Sequence, residues 1–291
     1  MPGPLLTADV PWLLYRSFFA LPKSIKGADG HPVNALLGTV NALLVLVEPG
    51  AGVSPRAVVA CMGAEEAAYR TALYPPYHQH REPMPPELRR QWQQAPALLD
   101  ALGWNHTSSA TLEADDVMFS LARAESAGGG SALLLTGDRD LYGAVEERVA
   151  VVEMLKGGKH ALIGPEEVRS RYGVQPGQVA DFIALRGDPS DGIPGAPGVG
   201  AKTAAELLRE HGTLEGAIAA ARTGTAMRPR MASALIDNEQ LLLSFRQIAT
   251  LQQIELSLPA DRSTDFARGA AAAEELGMKR LAERLRTIDA A

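Results

Sequence analysis

The chain has 291 residues, 46% hydrophobic and 21% charged, an ordinary globular composition that suits one large domain or two smaller ones. Its 28 Lys and Arg against 34 Asp and Glu leave a net charge of −6, which excludes a basic nucleic-acid coating over the whole surface but not a local basic face. The single cysteine, Cys61, excludes an internal disulfide and cysteine-rich zinc modules and reads as a small core residue at a strand end.

Asp9 and Pro11 interrupt the apolar residues of the N-terminus, which has no basic stretch and does not read as a secretory signal. The longest apolar run, residues 36–47, includes Gly38, Thr39 and Asn41 and falls short of the roughly 20 residues of a membrane helix. A soluble, cytoplasmic protein without membrane contact is expected. Leu5-Leu6-Thr7-Ala8, Arg56-Ala57-Val58-Val59-Ala60-Cys61, Ser131-Ala132-Leu133-Leu134-Leu135-Thr136 and Arg148-Val149-Ala150-Val151-Val152 have the near-continuous apolar character of strands buried on both faces. Helical patterns at Asn34–Val47, 86–102 and 112–126 alternate with them, which predicts an α/β layer architecture with a mostly parallel sheet over residues 1–164.

Beyond Pro165 strand-like runs almost disappear. Pro165-Glu166-Glu167 and Gln175-Pro176-Gly177 look like helix starts, and residues 204–210 form a further helix. Residues 165–291 therefore read as a helical module ending in one or two closing helices over 266–291. Gly128-Gly129-Gly130 is a turn before a strand, and no internal repeat is evident.

Acidic residues recur at or just beyond the carboxyl ends of these strands, where open α/β sheets place their ligand crevice. Asp9 follows the first strand, and Asp138 and Asp140 follow the leucine-rich one. Glu113, Asp115 and Asp116 open a helix, and Asp188 and Asp191 sit in a glycine- and proline-rich loop. A carboxylate in a first helical turn also has a plain structural role against the helix dipole, and an Asp in a turn bonds its own backbone. Four separate acidic groups converging on one edge would repel unless cations neutralised them. Oxygen-only donors point to Mg²⁺ or Mn²⁺, and paired ions roughly 3.5–4 Å apart are a common device for phosphodiester hydrolysis.

Gly198-Val199-Gly200-Ala201-Lys202-Thr203 precedes a helix. Gly195 and Gly200 have the separation of an ATPase phosphate loop, but Ala201 intervenes before Lys202, which argues against that reading. A glycine turn feeding a helix still offers backbone N–H groups to a phosphate without reading bases. Tyr74-Pro75-Pro76-Tyr77-His78-Gln79-His80-Arg81 interleaves rings with cations, suited to stacking on bases and contacting phosphates or to a proline-pinned surface loop.

Together with Leu14-Tyr15-Arg16-Ser17-Phe18-Phe19, these motifs run in order over residues 5–251, and the chain resembles the bacterial flap endonucleases, the 5′ nucleases that also form the N-terminal domain of DNA polymerase I. At this length a stand-alone enzyme is expected. The resemblance implies a PIN-like α/β nuclease domain with a helix-three-turn-helix module carrying a helix-hairpin-helix turn near 187–210. It implies that Glu113, Asp115, Asp116, Asp138, Asp140, Asp188 and Asp191 belong to the metal site, with Asp9 acting from behind the ligands. Arg16 and Arg81 match phosphate-holding residues, Tyr77 a ring that stacks on the nucleotide near the cut, and His78 a DNA-contacting cation. Gly198, Val199, Gly200 and Lys202 match a turn that grips duplex phosphates, often with K⁺. The implied protein is a nucleoid-associated monomer that cuts a 5′ flap or a nicked or gapped duplex in replication and repair.

Two departures stand out. The resembled family carries an Asp just after the second strand, where this chain reads Ala60-Cys61-Met62-Gly63, so either one metal position is weakened or Glu65 or Glu66 reaches in. The family's lysine is His78 here, a pH-dependent cation. A catalytically weak DNA-junction-binding protein is the alternative reading, and a PIN-type ribonuclease a lesser one.

Overall fold

The computed structural model describes residues 3–224 and 227–290; Met1, Pro2, Thr225, Ala226 and Ala291 lie outside the described residues, and with them the ends of the expectations for the N-terminus and the 266–291 tail. One sheet contains β1 (Leu5–Asp9), β2 (Ala57–Met62), β3 (Asn105–Ser108), β4 (Ala132–Leu135), β5 (Val149–Met154) and β6 (His160–Ile163), in the order β3-β2-β1-β4-β5-β6. All neighbours are parallel except the β5–β6 pair. The four apolar runs form the centre of the sheet and β5. The two strands not expected from sequence are its edges: β3 is Asn-His-Thr-Ser, with every second residue exposed, because an edge strand has little apolar surface to bury.

Register decides where chemistry can sit. Leu5 is level with both Ala57 and Ala132, so Asp9 and Thr136 reach the same carboxyl edge, beside the end of β2. Alternate residues of each strand face opposite layers. Leu6, Ala60, Met62 and Leu135 pack toward α1 (Val10–Ala20), α2 (Asn34–Val47) and α4 (Pro86–Ala101). Leu5, Val59, Cys61 and Leu134 pack toward α5 (Ala114–Ala127) and the helical module. Burial pushes the Cys61 thiol up, consistent with an inert core residue.

Pro11, which interrupts the apolar N-terminus, stands in the first turn of α1, where a missing N–H leaves no intrahelical bond unmade. A short helix, α3 (Ala68–Leu73), follows β2. After the sheet come α6 (Pro165–Tyr172), α7 (Val179–Arg186), α8 (Ala201–His211), α9 (Leu214–Thr223), α10 (Pro229–Asp237) and α11 (Glu239–Ala249). Residues 251–265 then run as an extended strap. It is tied to the sheet domain at a few points: Ile254 N–H donates to Ser120 Oγ, and Arg262 N–H to the Arg56 carbonyl at 2.7 Å. Arg56 in turn donates to the Pro259 carbonyl at 2.8 Å and pairs with Glu125. The strap delivers α12 (Phe266–Glu275) and α13 (Lys279–Asp289) to the layer containing α4, where Arg284 donates to Asn41 Oδ1 at 2.7 Å. No described helix is long and apolar enough to cross a membrane.

Candidate active site

At the carboxyl edge of β1, Asp9 caps α1. Its Oδ1 accepts the Trp12 N–H at 2.9 Å and its Oδ2 accepts the Thr136 hydroxyl at 2.8 Å. Both oxygens already have partners, an arrangement suited to orienting neighbours. Burial, reinforced by Asp115 and Glu113, pushes its carboxyl up to about 6.

The start of α5 lies beside this edge. Glu113 Oε1 accepts the Ala67 N–H at 2.9 Å, and Asp115 Oδ1 accepts the Asp116 N–H at 2.8 Å. Their other oxygens meet Arg70 of α3, buried at 4% exposure. Arg70 Nη1 lies 3.0 Å from Glu113 Oε2, and Nη2 lies 2.8 Å from Asp115 Oδ2 and 3.3 Å from Asp116 Oδ2. Asp116 turns inward, is fully buried, and gives its Oδ1 to the Gln252 N–H at 2.6 Å. Burial and the Asp115 charge push its carboxyl up to about 7.

Across the edge, Asp138 Oδ1 accepts the Asp140 N–H at 2.9 Å. Asp138 is pushed up to about 8, first by desolvation of its carboxyl and then by the Asp115 and Asp191 charges. Desolvation and then the charges of Asp138, Asp191, Asp188 and Asp115 hold Asp140 well above the usual carboxylate range. The 188–193 loop closes on itself through Asp188 N–H to Ile193 O and the reciprocal bond, presenting Ser190 and Asp191. Asp188 is engaged by Arg186 and Ser190, and Asp191 Oδ1 lies 3.0 Å from His78 Nε2.

A cavity of about 330 Å³ opens at this edge, lined by some of these carboxylates but not by Asp140, Asp188 or Asp191. Asp9, Glu113, Asp115 and Asp138 line it together with Trp12, Tyr15, Trp92, Glu65 and Arg81. Asp116 does not line it. A larger cleft of about 930 Å³, bounded by Phe119, Asp181 and Arg246, lies away from these carboxylates, so size alone does not mark the reactive edge. Among the described residues no three acidic, imidazole or thiol groups stand together in ready ligating geometry, and several of the carboxylates are held by protein donors. The donor chemistry nonetheless fits a hard divalent cation: the oxygens are all carboxylate, and Asp9, Glu113, Asp138 and Asp140 are raised first by desolvation and then by the charges of neighbouring carboxylates, so a bound cation would favour their ionised forms.

The DNA-contact expectations divide. Arg16 is exposed, 5.6 Å from the Trp12 ring centroid, and Arg81 is exposed at the cavity, donating to the Glu65 carbonyl at 3.1 Å. Tyr77 requires correction. It is 3% exposed, packed in the core, its hydroxyl accepting from Arg70 at 3.3 Å and its ring stacked on His78, so no face is free for a nucleotide. His78 is likewise enclosed and turned toward Asp191 rather than outward; it holds a left-handed φ of 55°, uncommon for a non-glycine residue. Gly198, at φ 77°, makes the turn into α8, leaving Gly200 and Lys202 exposed, whereas the Val199 side chain is buried. Only the Val199 backbone can take part in a surface contact.

The second-strand departure has a steric basis. Met62 faces the α1–α2–α4 core, away from the acids. At Gly63 an added Cβ would come within 2.6 Å of Leu112 O and Glu113 C, so α5 begins where a side chain would stand. Glu65 lines the cavity; Glu66 is exposed and does not. Sequence reasoning missed Arg70, which stands four residues past Glu66 and belongs to none of the motifs; only the packing of α3 against the start of α5 sets it among three acids. It also missed Thr136, the hydroxyl that holds Asp9.

A mostly parallel sheet with an acid-lined cleft at its carboxyl edge, followed by a helical module with a glycine turn into α8, is the architecture of an α/β nuclease. The family model described as 5′-3′ exonuclease, N-terminal resolvase-like domain, matches residues 4–173, and that described as 5′-3′ exonuclease, C-terminal SAM fold, matches 174–269. The chain belongs to the 5′-3′ exonuclease family. A 5′-3′ exonuclease of Mycobacterium tuberculosis is 35% identical over 287 residues, covering 90% of this chain and 89% of its own. DNA polymerase I of Deinococcus radiodurans is 37% identical over 239 residues, covering 82% of this chain but 24% of the polymerase. Among solved structures, the bacteriophage T5 D15 flap endonuclease in a complex with DNA and metal ions has a TM-score of 0.68 at 17% identity, with 98% of each chain covered. At that identity the likeness is one of fold.

Proposed function

We propose that this protein is a structure-specific 5′ nuclease, a flap endonuclease and 5′-3′ exonuclease that hydrolyses DNA phosphodiesters with divalent ions held by its edge carboxylates. The observation that carries the reading is the cavity lined by Asp9, Glu113, Asp115 and Asp138 at the carboxyl edge, in a chain of the 5′-3′ exonuclease family. Glu113, Asp115, Asp138, Asp140 and Asp191 are the residues we assign to the ions, with Asp188 tied into the same loop. Mg²⁺ or Mn²⁺, when bound, supplies Lewis-acid charge and lowers the pKa of a water.

Asp9, fixed by Trp12 and Thr136, orients this edge. Arg81 at the cavity mouth, and Arg16 one helical turn beyond Trp12, offer guanidinium groups to the scissile phosphate. The first amides of α8, with Lys202, bind duplex phosphates independently of base sequence, with K⁺ assisting at that turn. The bare end of β2 favours a second reading, a DNA-junction binder of low turnover. A 5′-labelled flap incubated with Mg²⁺, Mn²⁺ or chelator separates the two: metal-dependent release of a 5′ fragment supports the nuclease, and binding without cleavage in either metal overturns it.

A further inference from the structure

We propose that the Arg70 guanidinium is a resident cation of the carboxylate cluster, which neutralises Glu113 and Asp115 in the ion-free protein and so sets how tightly the first divalent ion is held. The inference rests on the metal-dependent reading above and concerns a buried residue that does not line the cavity.

Oxygen-by-oxygen geometry carries it. Glu113 Oε1 is taken by the Ala67 N–H and Asp115 Oδ1 by the Asp116 N–H. The oxygens left for an incoming ion are Glu113 Oε2 and Asp115 Oδ2, and these are the two that Arg70 holds at 3.0 and 2.8 Å. An ion bound through these two oxygens would share or displace Arg70's contacts, and wherever it sits in the cluster a second positive charge within a few ångström repels it. Arg70 is not a loose surface cation that can swing away. Its Nε donates to Tyr69 Oη at 2.9 Å, its Nη1 to Tyr77 Oη at 3.3 Å, and the side chain is 5% exposed. Burial alone would lower its pKa, but Asp115, Glu113 and the surrounding groups raise it well above the ordinary value, so it remains charged throughout the accessible pH range.

Removing the charge should therefore have two opposite effects. The ion-free fold loses the partner of several buried carboxylates and is weakened. The same carboxylates then bind a divalent ion more tightly. A residue that served only to hold α3 against α5 would lower stability without tightening metal binding.

The test is a titration of the purified full chain with MnCl₂ and MgCl₂, followed by thermal unfolding and by calorimetry, without DNA. For Arg70→Gln the ion-free midpoint should fall while the dissociation constant for the first ion tightens on the order of tenfold. Arg70→Lys, which keeps the charge, should stay within about threefold of the parent. Tyr69→Phe retains the charge but loosens the fork, and it serves if Arg70→Gln does not fold without ions; it should tighten binding about threefold. Unchanged or weaker ion binding in Arg70→Gln, or in Tyr69→Phe where that variant is the one measured, overturns the proposal. If the parent itself binds neither ion, the metal-dependent reading falls and the proposal with it, whereas a parent that binds and a variant that does not tighten removes the Arg70 role alone.

Discussion

Asp116 accepts the Gln252 N–H at 2.6 Å and has Arg70 at 3.3 Å on its other oxygen, so a residue in the acidic motif ties the strap to the first turn of α5. The same carboxylate joins the end of the helical module to the edge where Asp115 faces the cavity. Asp116→Ala should lower stability by about 1–3 kcal/mol, the cost of leaving a buried N–H without its acceptor. Urea unfolding of the variant beside the parent checks this, and an unchanged midpoint would mean the strap does not depend on the contact.

The Asp191 charge acts on Asp138 and helps to raise its carboxyl. Asp138→Asn and Asp191→Asn keep shape and remove charge. Each should reduce flap cleavage at least about 100-fold, since even indirect partners of a metal site cost 10–100-fold when removed. Circular dichroism should stay that of the parent, and DNA affinity measured in chelator should persist or rise.

Restoring a carboxylate at the end of β2 should not restore a ligand. Met62→Asp places an unpaired acid in the apolar α1–α2–α4 layer and should destabilise by about 3 kcal/mol or more. Gly63→Asp forces its Cβ onto the backbone of Leu112 and Glu113 and should shift the start of α5. Thermal midpoints of both variants, with cleavage measured over a Mg²⁺ series, test this; a stable Met62→Asp protein that cleaves better at low Mg²⁺ would contradict it.

The carboxyls of Asp9, Asp116 and Asp138 are raised to about 6, 7 and 8. The folded, ion-free chain therefore keeps protons that the unfolded chain releases near the ordinary value of 3.8, and its stability should fall as pH rises from there through 6 to 8. Divalent ions compete with those same protons, so Mn²⁺ affinity should rise over the 6 to 8 window and binding should release protons. Calorimetry in buffers of different ionisation enthalpy reads this directly; binding that neither strengthens with pH nor releases protons would count against the cluster as the ion site.

Lys202, exposed in the first turn of α8, should contribute one phosphate contact. Lys202→Ala should weaken duplex binding for every sequence alike and reduce the salt slope by roughly 0.9. Fluorescence anisotropy at several salt concentrations measures it, and an unaltered slope would leave the glycine turn with a structural role only.

The primary sequence by itself determined the α/β alternation, the central strands, the helix at Asn34–Val47 and the recurrence of acids just past strand ends. These features are local: they follow from apolar runs, from period 3.6 and from residues that terminate elements, and ordered motifs were enough to indicate the family. The edge strands were not legible, because Asn-His-Thr-Ser becomes a strand only when β2 offers it a ladder. Tertiary packing also decided how the motif residues divide their work. Asp115 and Asp116 are neighbours in sequence, yet one faces the cavity and the other the strap, since successive helical residues point about 100° apart. Tyr77 reads as a nucleotide platform in its motif and is a core ring in the fold, held by Arg70 and His78. Arg70 carries no sequence signature of its role, because its position among three carboxylates depends on α3 packing against the start of α5, a contact between segments more than 40 residues apart.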